Sequence, residues 1–211
     1  KTKSIQRELN QRELYMDNTE KKPKGAGKSS FELIDSDKFK SALPIKSGSI
    51  VIDLACGKGI YSMFLSKIVG ETGLIYAVDL WKEGLLLLEE QIEKKSITNI
   101  MTLQNDAGKK IEIDDYSSDI CLMATVLHDF EEAGQADIVL KDIKTLLKHG
   151  GCLAVVEFKK IEGPPGPPVH IRLPEAEVEK MVTRHGFVKK EKIIEETMVY
   201  ALWVSLRRQH I

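Results

Sequence analysis

The chain has 211 residues, of which 42% are hydrophobic and 30% charged, which suits one α/β domain with a substantial core. Its formal net charge of −1 gives no overall attraction to nucleic acid, so we expect no nucleic-acid partner. The three cysteines lie in or beside apolar runs without a CxxC pair, and no apolar stretch approaches the ~20 residues of a membrane helix. We therefore predict a reducing, cytoplasmic setting and no membrane span.

The first part of the chain is polar. Residues 1–24 predict an N-terminal arm that forms at most a loosely docked helix, and residues 25–211 predict a single domain. Residues 31–43 follow as a short amphipathic helix, for which Ser36 or Asp37 is the predicted N-cap.

From residue 49 onward, short apolar strands alternate with helices. The predicted strands cover residues 49–55, 74–80, 99–106, 119–127 and 152–158, and the predicted helices cover residues 60–70, 83–95 and 135–151. A glycine cap closes the last of these helices in our prediction. Because the strands are continuously apolar, they predict burial on both faces, and hence a parallel sheet covered by helices.

The pattern changes after residue 158. A Pro-rich loop over residues 159–173 is interpreted either as a lid that carries His170 and Arg172 inward or as a plain surface connection. A helix over residues 174–186 and two strands, 187–194 and 197–206, complete the chain. The link between those strands is too short for a helical crossover, which predicts an antiparallel pair.

One segment carries most of the chemistry. Asp53 ends the first strand, and Gly57 and Gly59 then let the backbone turn tightly and approach a ligand. The helix that follows offers unpaired N–H groups. Asp79 ends the second strand, 20 residues beyond Gly59, a spacing at which an acid can accept hydrogen bonds from ribose hydroxyls.

A nicotinamide dinucleotide site is a weaker interpretation of this segment. A GxGxxG pattern requires a third glycine where Ser62 stands, and it does not use an acid at the position of Asp53. An acid there suits the ammonium group in the amino-acid portion of S-adenosylmethionine.

The segment DLACGKG resembles the first motif of the class I S-adenosylmethionine-dependent methyltransferases, with Ala55 in place of the first glycine. The narrower resemblance, carried by residues 27–35, is to the small quinone-biosynthesis-like (type 11) group. It implies a Rossmann-like, doubly wound sheet of seven strands, mostly parallel with an antiparallel C-terminal strand. It also implies S-adenosylmethionine as cofactor, S-adenosylhomocysteine as product, and contacts to them from a set of residues: Asp53, Ala55, Cys56, Gly57, Gly59, Asp79, Leu80, Asp106, Ala107, Ala124 and Ser30. Within that set, Asp79 falls on the ribose-binding acid, Leu80 on the residue packed against adenine, and Asp106 on the acid that contacts the adenine amino group.

Two further residues are candidates for catalysis. His128 follows the fourth strand in a predicted loop, and Glu157 ends the fifth strand, so both are expected beside the crevice of a doubly wound sheet. His128 is interpreted as a general base, a substrate contact or a helix-capping wall residue, and Glu157 as its partner, as a contact to an acceptor amine or as a structural acid. No metal-ligand spacing is present, and we expect no metal.

The predicted function is transfer of a methyl group to a small-molecule acceptor. A non-catalytic module that binds the same cofactor is the alternative, and an NAD-dependent oxidoreductase is a third interpretation. Cofactor titration would separate them.

Overall fold

The computed structural model describes residues 25–195 and 198–206, so the predicted polar arm over residues 1–24 lies outside it. Seven strands make one sheet: β1 (Ile50–Leu54), β2 (Leu74–Asp79), β3 (Ile100–Gln104), β4 (Ser118–Ala124), β5 (Leu147–Phe158), β6 (Phe187–Glu195) and β7 (Val199–Leu206). The helices are α1 (Ser36–Ala42), α2 (Ile60–Val69), α3 (Lys82–Lys94), α4 (Leu127–Glu132), α5 (Ala136–Leu146) and α6 (Glu175–Arg184), with 3-10 turns at Phe31–Leu33 and Val169–Ile171.

The strand order is β3-β2-β1-β4-β5-β7-β6, with β1 to β5 paired in parallel and β7 antiparallel to both β5 and β6. This confirms the predicted fold class and the antiparallel C-terminal pair. Because successive side chains on a strand point to opposite faces, the buried residues separate into two clusters, one on each face of the sheet. Ile52 of β1 belongs to one cluster, and its neighbour Val51 belongs to the other.

Three local predictions were wrong. Asp35, rather than Ser36 or Asp37, caps α1, because its side chain accepts hydrogen bonds from the backbone N–H groups of Asp37 and Lys38. No glycine caps α5, because the chain enters β5 directly at Leu147, which pairs with Ser118 of β4. The segment after β4, predicted as a loop, contains the short helix α4.

Gly59 connects β1 to α2 and fixes how closely they approach α3. It has a φ of +70°, a region that favours glycine, and a Cβ atom built there would lie 2.5 Å from the side chain of Leu88. The turn can therefore pack directly on α3, which places the start of α2 at the carboxyl end of the sheet.

Candidate functional site

An open cavity lies at the carboxyl ends of β1 and β4. Its lining residues come from the segment before α1, from β1 and the turn after it, from the start of α2 and from the end of β4: Lys28, Ser29, Ser30, Asp53, Ala55, Cys56, Lys58, Ile60, Tyr61 and Ala124. From β1 the chain adds β2 and β3 on one side of the sheet and then returns to add β4 and β5 on the other, so the strand order reverses between β1 and β4. Doubly wound sheets bind ligands at this point.

Asp53 is the acid of this cavity and is only 1% exposed. The Ser62 hydroxyl donates a hydrogen bond of 2.5 Å to its Oδ2 atom. Burial raises the pKa of the Asp53 carboxyl to about 7, opposed by the Ser62 hydrogen bond and supported by the nearby charge of Asp79. A cation that binds here therefore competes with a proton for the Asp53 carboxylate.

The turn after β1 is shaped for close approach of a ligand. Ala55 has a φ of +59°, the left-handed conformation that a glycine adopts readily. Gly57 has a φ of +58°, and a Cβ atom built on it would meet no atom within 4 Å. The space beside this turn is therefore open, as the sequence pattern predicts for a backbone that lies against a ligand.

Asp79 holds the same turn from the end of β2. Its Oδ2 atom accepts a hydrogen bond of 2.6 Å from the backbone N–H of Gly57, and its Oδ1 atom accepts one of 2.7 Å from that of Trp81. Burial raises the pKa of Asp79, and the backbone donors act in the opposite direction. Because a carboxylate has about four acceptor positions, Asp79 retains capacity for ribose hydroxyls.

The structure groups some predicted cofactor residues around the cavity and leaves others outside it. Asp53, Ala55, Cys56, Ala124 and Ser30 line it, and Gly57 and Gly59 belong to the same turn. Four predicted residues do not line it: Asp79, which holds the turn from the end of β2, Leu80, which is 42% exposed, Asp106, which accepts a hydrogen bond from the backbone N–H of Gly108, and Ala107, which packs in the core. The predicted contacts of these four residues with the cofactor stay predictions.

Five lining residues lie outside the set of predicted cofactor contacts: Lys28, Ser29, Lys58, Ile60 and Tyr61. Lys58 lies between the two glycines, Ile60 begins α2, and Tyr61 follows it with its hydroxyl 3.0 Å from that of Ser30. The signal that could have found Lys58 is its place inside the GKG motif. Tyr61 carried no such signal, because only the packing of α2 decides which of its first residues faces the cavity.

His128 and Glu157 form a buried pair that links α4 to β5. Oε2 of Glu157 lies 2.8 Å from Nδ1 of His128, and Oε1 accepts a hydrogen bond of 3.1 Å from the His128 backbone N–H. Burial lowers the pKa of His128, but the hydrogen bond and charge of Glu157 outweigh this and raise it above its ordinary value. Neither residue lines the cavity, and their catalytic roles stay predictions.

Arg172 organises the Pro-rich loop after β5. Its guanidinium is buried and donates hydrogen bonds of 2.7–3.3 Å to the carbonyl oxygens of five loop residues: Lys159, Ile161, Gly163, Pro165 and Pro167. Arg172 therefore points into its own loop rather than into the cavity, and His170 is exposed. Within the described residues, no group of three or more His, Cys, Asp or Glu side chains is arranged to hold a metal ion.

Comparison with known proteins decides the family. The model of the ubiE/COQ5 methyltransferase family matches residues 31–166, well over half of the chain. The chain belongs to this family. In fold, the chain resembles a SAM-dependent methyltransferase from Aquifex aeolicus with a TM-score of 0.77 and 28% identity, over 84% of this chain and 93% of that one. These findings confirm the predicted family and its cofactor, S-adenosylmethionine.

Two curated relatives are similar over a shorter stretch. A demethylmenaquinone methyltransferase from Lactobacillus johnsonii is 28% identical over 60% of this chain and 51% of its own length. A ubiquinone/menaquinone biosynthesis C-methyltransferase from Haemophilus ducreyi is 31% identical over 55% of this chain and 44% of its own length. The matched region thus spans about half the length of these relatives.

Proposed function

We propose that this chain transfers a methyl group from S-adenosylmethionine to a small, aromatic, quinone-like acceptor. The observation that carries the proposal is the cavity at the ends of β1 and β4, where the buried Asp53 carboxyl meets the open face of the Gly57 turn. These residues fit the donor, because Asp53 can neutralise its ammonium group and Asp79 can accept from its ribose.

When bound, S-adenosylmethionine supplies a methyl group already activated by its sulfonium. The residues of the chain then have three tasks: to hold the two reactants, to align them and to exclude water, which together contribute up to roughly 7–11 kcal/mol in the best intramolecular models. Ser30 and Tyr61, which are buried and share a hydrogen bond, form part of the wall of the cavity.

The names of the curated relatives support the choice of acceptor class. One is named for demethylmenaquinone and the other for ubiquinone/menaquinone biosynthesis, and the cavity includes an apolar side chain, Ile60, beside its polar groups. No helix among residues 25–195 and 198–206 is long and apolar enough to cross a membrane. The cytoplasmic location stays a prediction.

The test is a methyl-transfer assay with radiolabelled S-adenosylmethionine and a short-chain naphthoquinol as acceptor. We expect label in the extracted quinol and stoichiometric release of S-adenosylhomocysteine. Tight binding of S-adenosylhomocysteine without turnover on quinols, phenols or amines would favour the non-catalytic binding module instead. The Asp53→Asn variant serves as the control, since it should lose turnover through weaker donor binding.

A further inference from the structure

The lining of the cavity has more basic than acidic side chains, although its acid is buried. Lys28 and Lys58 both line it, and Asp53 is the acidic residue of the lining. Lys28 lies in the segment before α1, whereas Lys58 lies in the turn between β1 and α2. Two cations therefore face a cavity with one carboxyl, whose raised pKa reduces its negative charge further near neutral pH.

Neither lysine has a carboxylate partner in the part of the chain that the structure describes. The acids near the turn are engaged elsewhere: Asp53 with Ser62, and Asp79 with the backbone of Gly57 and Trp81. Both lysine side chains are exposed, so they can move toward a ligand. An unpaired ammonium beside a cavity is a ready site for an anion.

We propose that Lys58 and Lys28 bind the carboxylate of the methyl donor. This inference rests on the proposed function. It assigns each of the two charged groups in the donor's amino-acid portion to residues of the opposite charge. Asp53 receives the ammonium, and the two lysines receive the carboxylate. The two groups are bonded to the same carbon, which matches the placement of Asp53 at the end of β1, of Lys58 in the turn that follows, and of both lysines in one lining.

The two lysines could instead bind the carboxylate of an acidic methyl acceptor. A pair of ligands distinguishes the donor's carboxylate from that of an acceptor. S-adenosylhomocysteine carries the carboxylate, and S-adenosyl-3-thiopropylamine is the same molecule without it. Both keep the adenosine, the thioether and the amine. Calorimetric titration of each ligand isolates the carboxylate contribution without any acceptor and without turnover.

The variants are Lys58→Met, Lys28→Met and their combination, with Lys67→Met as the matched control. Methionine keeps most of the length of lysine without its charge, and Lys67 lies on the exposed surface of α2 outside the cavity. Thermal unfolding without ligand checks that each variant remains folded. Because these lysines are exposed, we expect their removal to leave the melting temperature close to that of the unmodified chain.

Each single cavity variant should bind S-adenosylhomocysteine about three- to tenfold more weakly, and the double variant more weakly still. All variants should bind the decarboxylated ligand with the affinity of the unmodified chain. An equal loss for both ligands, or no loss for S-adenosylhomocysteine, would overturn the carboxylate assignment while the cofactor assignment stands. Failure of the unmodified chain to bind either ligand would overturn both.

Discussion

At the scale of single residues, Asp53 combines deep burial with a position where a cation is expected. Burial raises its pKa to about 7, so Asp53 holds its proton much more tightly than an exposed aspartate does. The ammonium of the donor interacts favourably with the ionised form only. Binding therefore requires removal of a proton from Asp53 below this pH.

The first prediction concerns the pH dependence of cofactor affinity. Affinity for S-adenosylhomocysteine should fall about tenfold for each pH unit below 7 and should level off above it. Calorimetry between pH 5.5 and 8.5 measures this, with Asp53→Asn as the control that should be weaker and nearly pH-independent. A flat profile for the unmodified chain would show that Asp53 does not bind the ammonium.

The same raised pKa has a consequence for stability. Its folded-state pKa lies above the value of about 3.9 expected in the unfolded chain, so Asp53 binds its proton more tightly when folded. Its contribution to the free energy of unfolding is greatest below pH 4 and declines by about 1.4 kcal/mol for each unit up to pH 7. Comparison of Asp53→Asn with the unmodified chain by denaturant unfolding at pH 5 and pH 7 should reveal this decline as a difference between the two. An equal change in the free energy of unfolding of the two proteins between pH 5 and pH 7 would contradict it.

Asp79 has two tasks, one local and one toward the ligand. Replacement by alanine should weaken binding of S-adenosylhomocysteine by about 1–3 kcal/mol, since charge-assisted hydrogen bonds are lost and the Gly57 turn loses its support. Glu83→Ala, in the first turn of α3, is the matched control and should bind normally. Unchanged affinity of Asp79→Ala would show that the ribose is held elsewhere.

At the scale of secondary-structure elements, the buried His128–Glu157 pair joins the start of α4 to the end of β5. The pKa of His128 is raised in the folded state. The contribution of the pair to the free energy of unfolding is therefore complete below pH 6.5 and is lost as the pH rises through the folded-state pKa. His128→Ala should lower the free energy of unfolding by about 3 kcal/mol or more, because it leaves the Glu157 carboxylate buried without its partner.

The variant also separates the structural role of His128 from its predicted catalytic role. We expect the loss of stability to be larger at pH 6 than at pH 8, and the affinity for S-adenosylhomocysteine to remain close to normal. Methyl transfer should fall if His128 contacts the acceptor. Full activity on the true acceptor at a temperature where the variant is folded would eliminate the general-base hypothesis.

Arg172 stabilises the connection between β5 and α6. Its five N–H groups are matched by five backbone carbonyl oxygens, a geometry that the single ammonium of lysine cannot reproduce. Arg172→Lys should therefore make residues 159–171 much more sensitive to proteases, with cleavage products identified by mass spectrometry. Arg184→Lys, on the exposed side of α6, is the control. Equal cleavage of the two variants would contradict this role for Arg172.

The sequence predictions succeeded where a pattern in the sequence determines the structure, and they failed where contacts between distant parts of the chain determine it. Continuously apolar strands require burial on both faces, so the parallel sheet and the place of Asp53, Gly57 and Asp79 could be predicted. The end of α5 could not, because Gly150 and Gly151 are typical of a helix end, and only pairing with β4 shows that β5 has already begun at Leu147. The capture of Arg172 by loop carbonyl oxygens was also unpredictable, since backbone carbonyl positions leave no sequence pattern.

At the scale of the whole molecule, the reversal of strand order between β1 and β4 determines where the cavity forms. Parallel strands bring their carboxyl ends to one edge of the sheet, so residues distant in the sequence, such as Ser30, Asp53 and Ala124, meet at one site. The region that matches the ubiE/COQ5 family, residues 31–166, contains the five parallel strands and therefore most of this edge.

The central claim is that this edge binds S-adenosylmethionine and its product rather than a nicotinamide dinucleotide. Calorimetric titration of the unmodified chain with S-adenosylhomocysteine and, separately, with NAD tests it most directly. We predict saturable, one-to-one binding of S-adenosylhomocysteine and no measurable binding of NAD under the same conditions. Preferential binding of NAD would contradict the account.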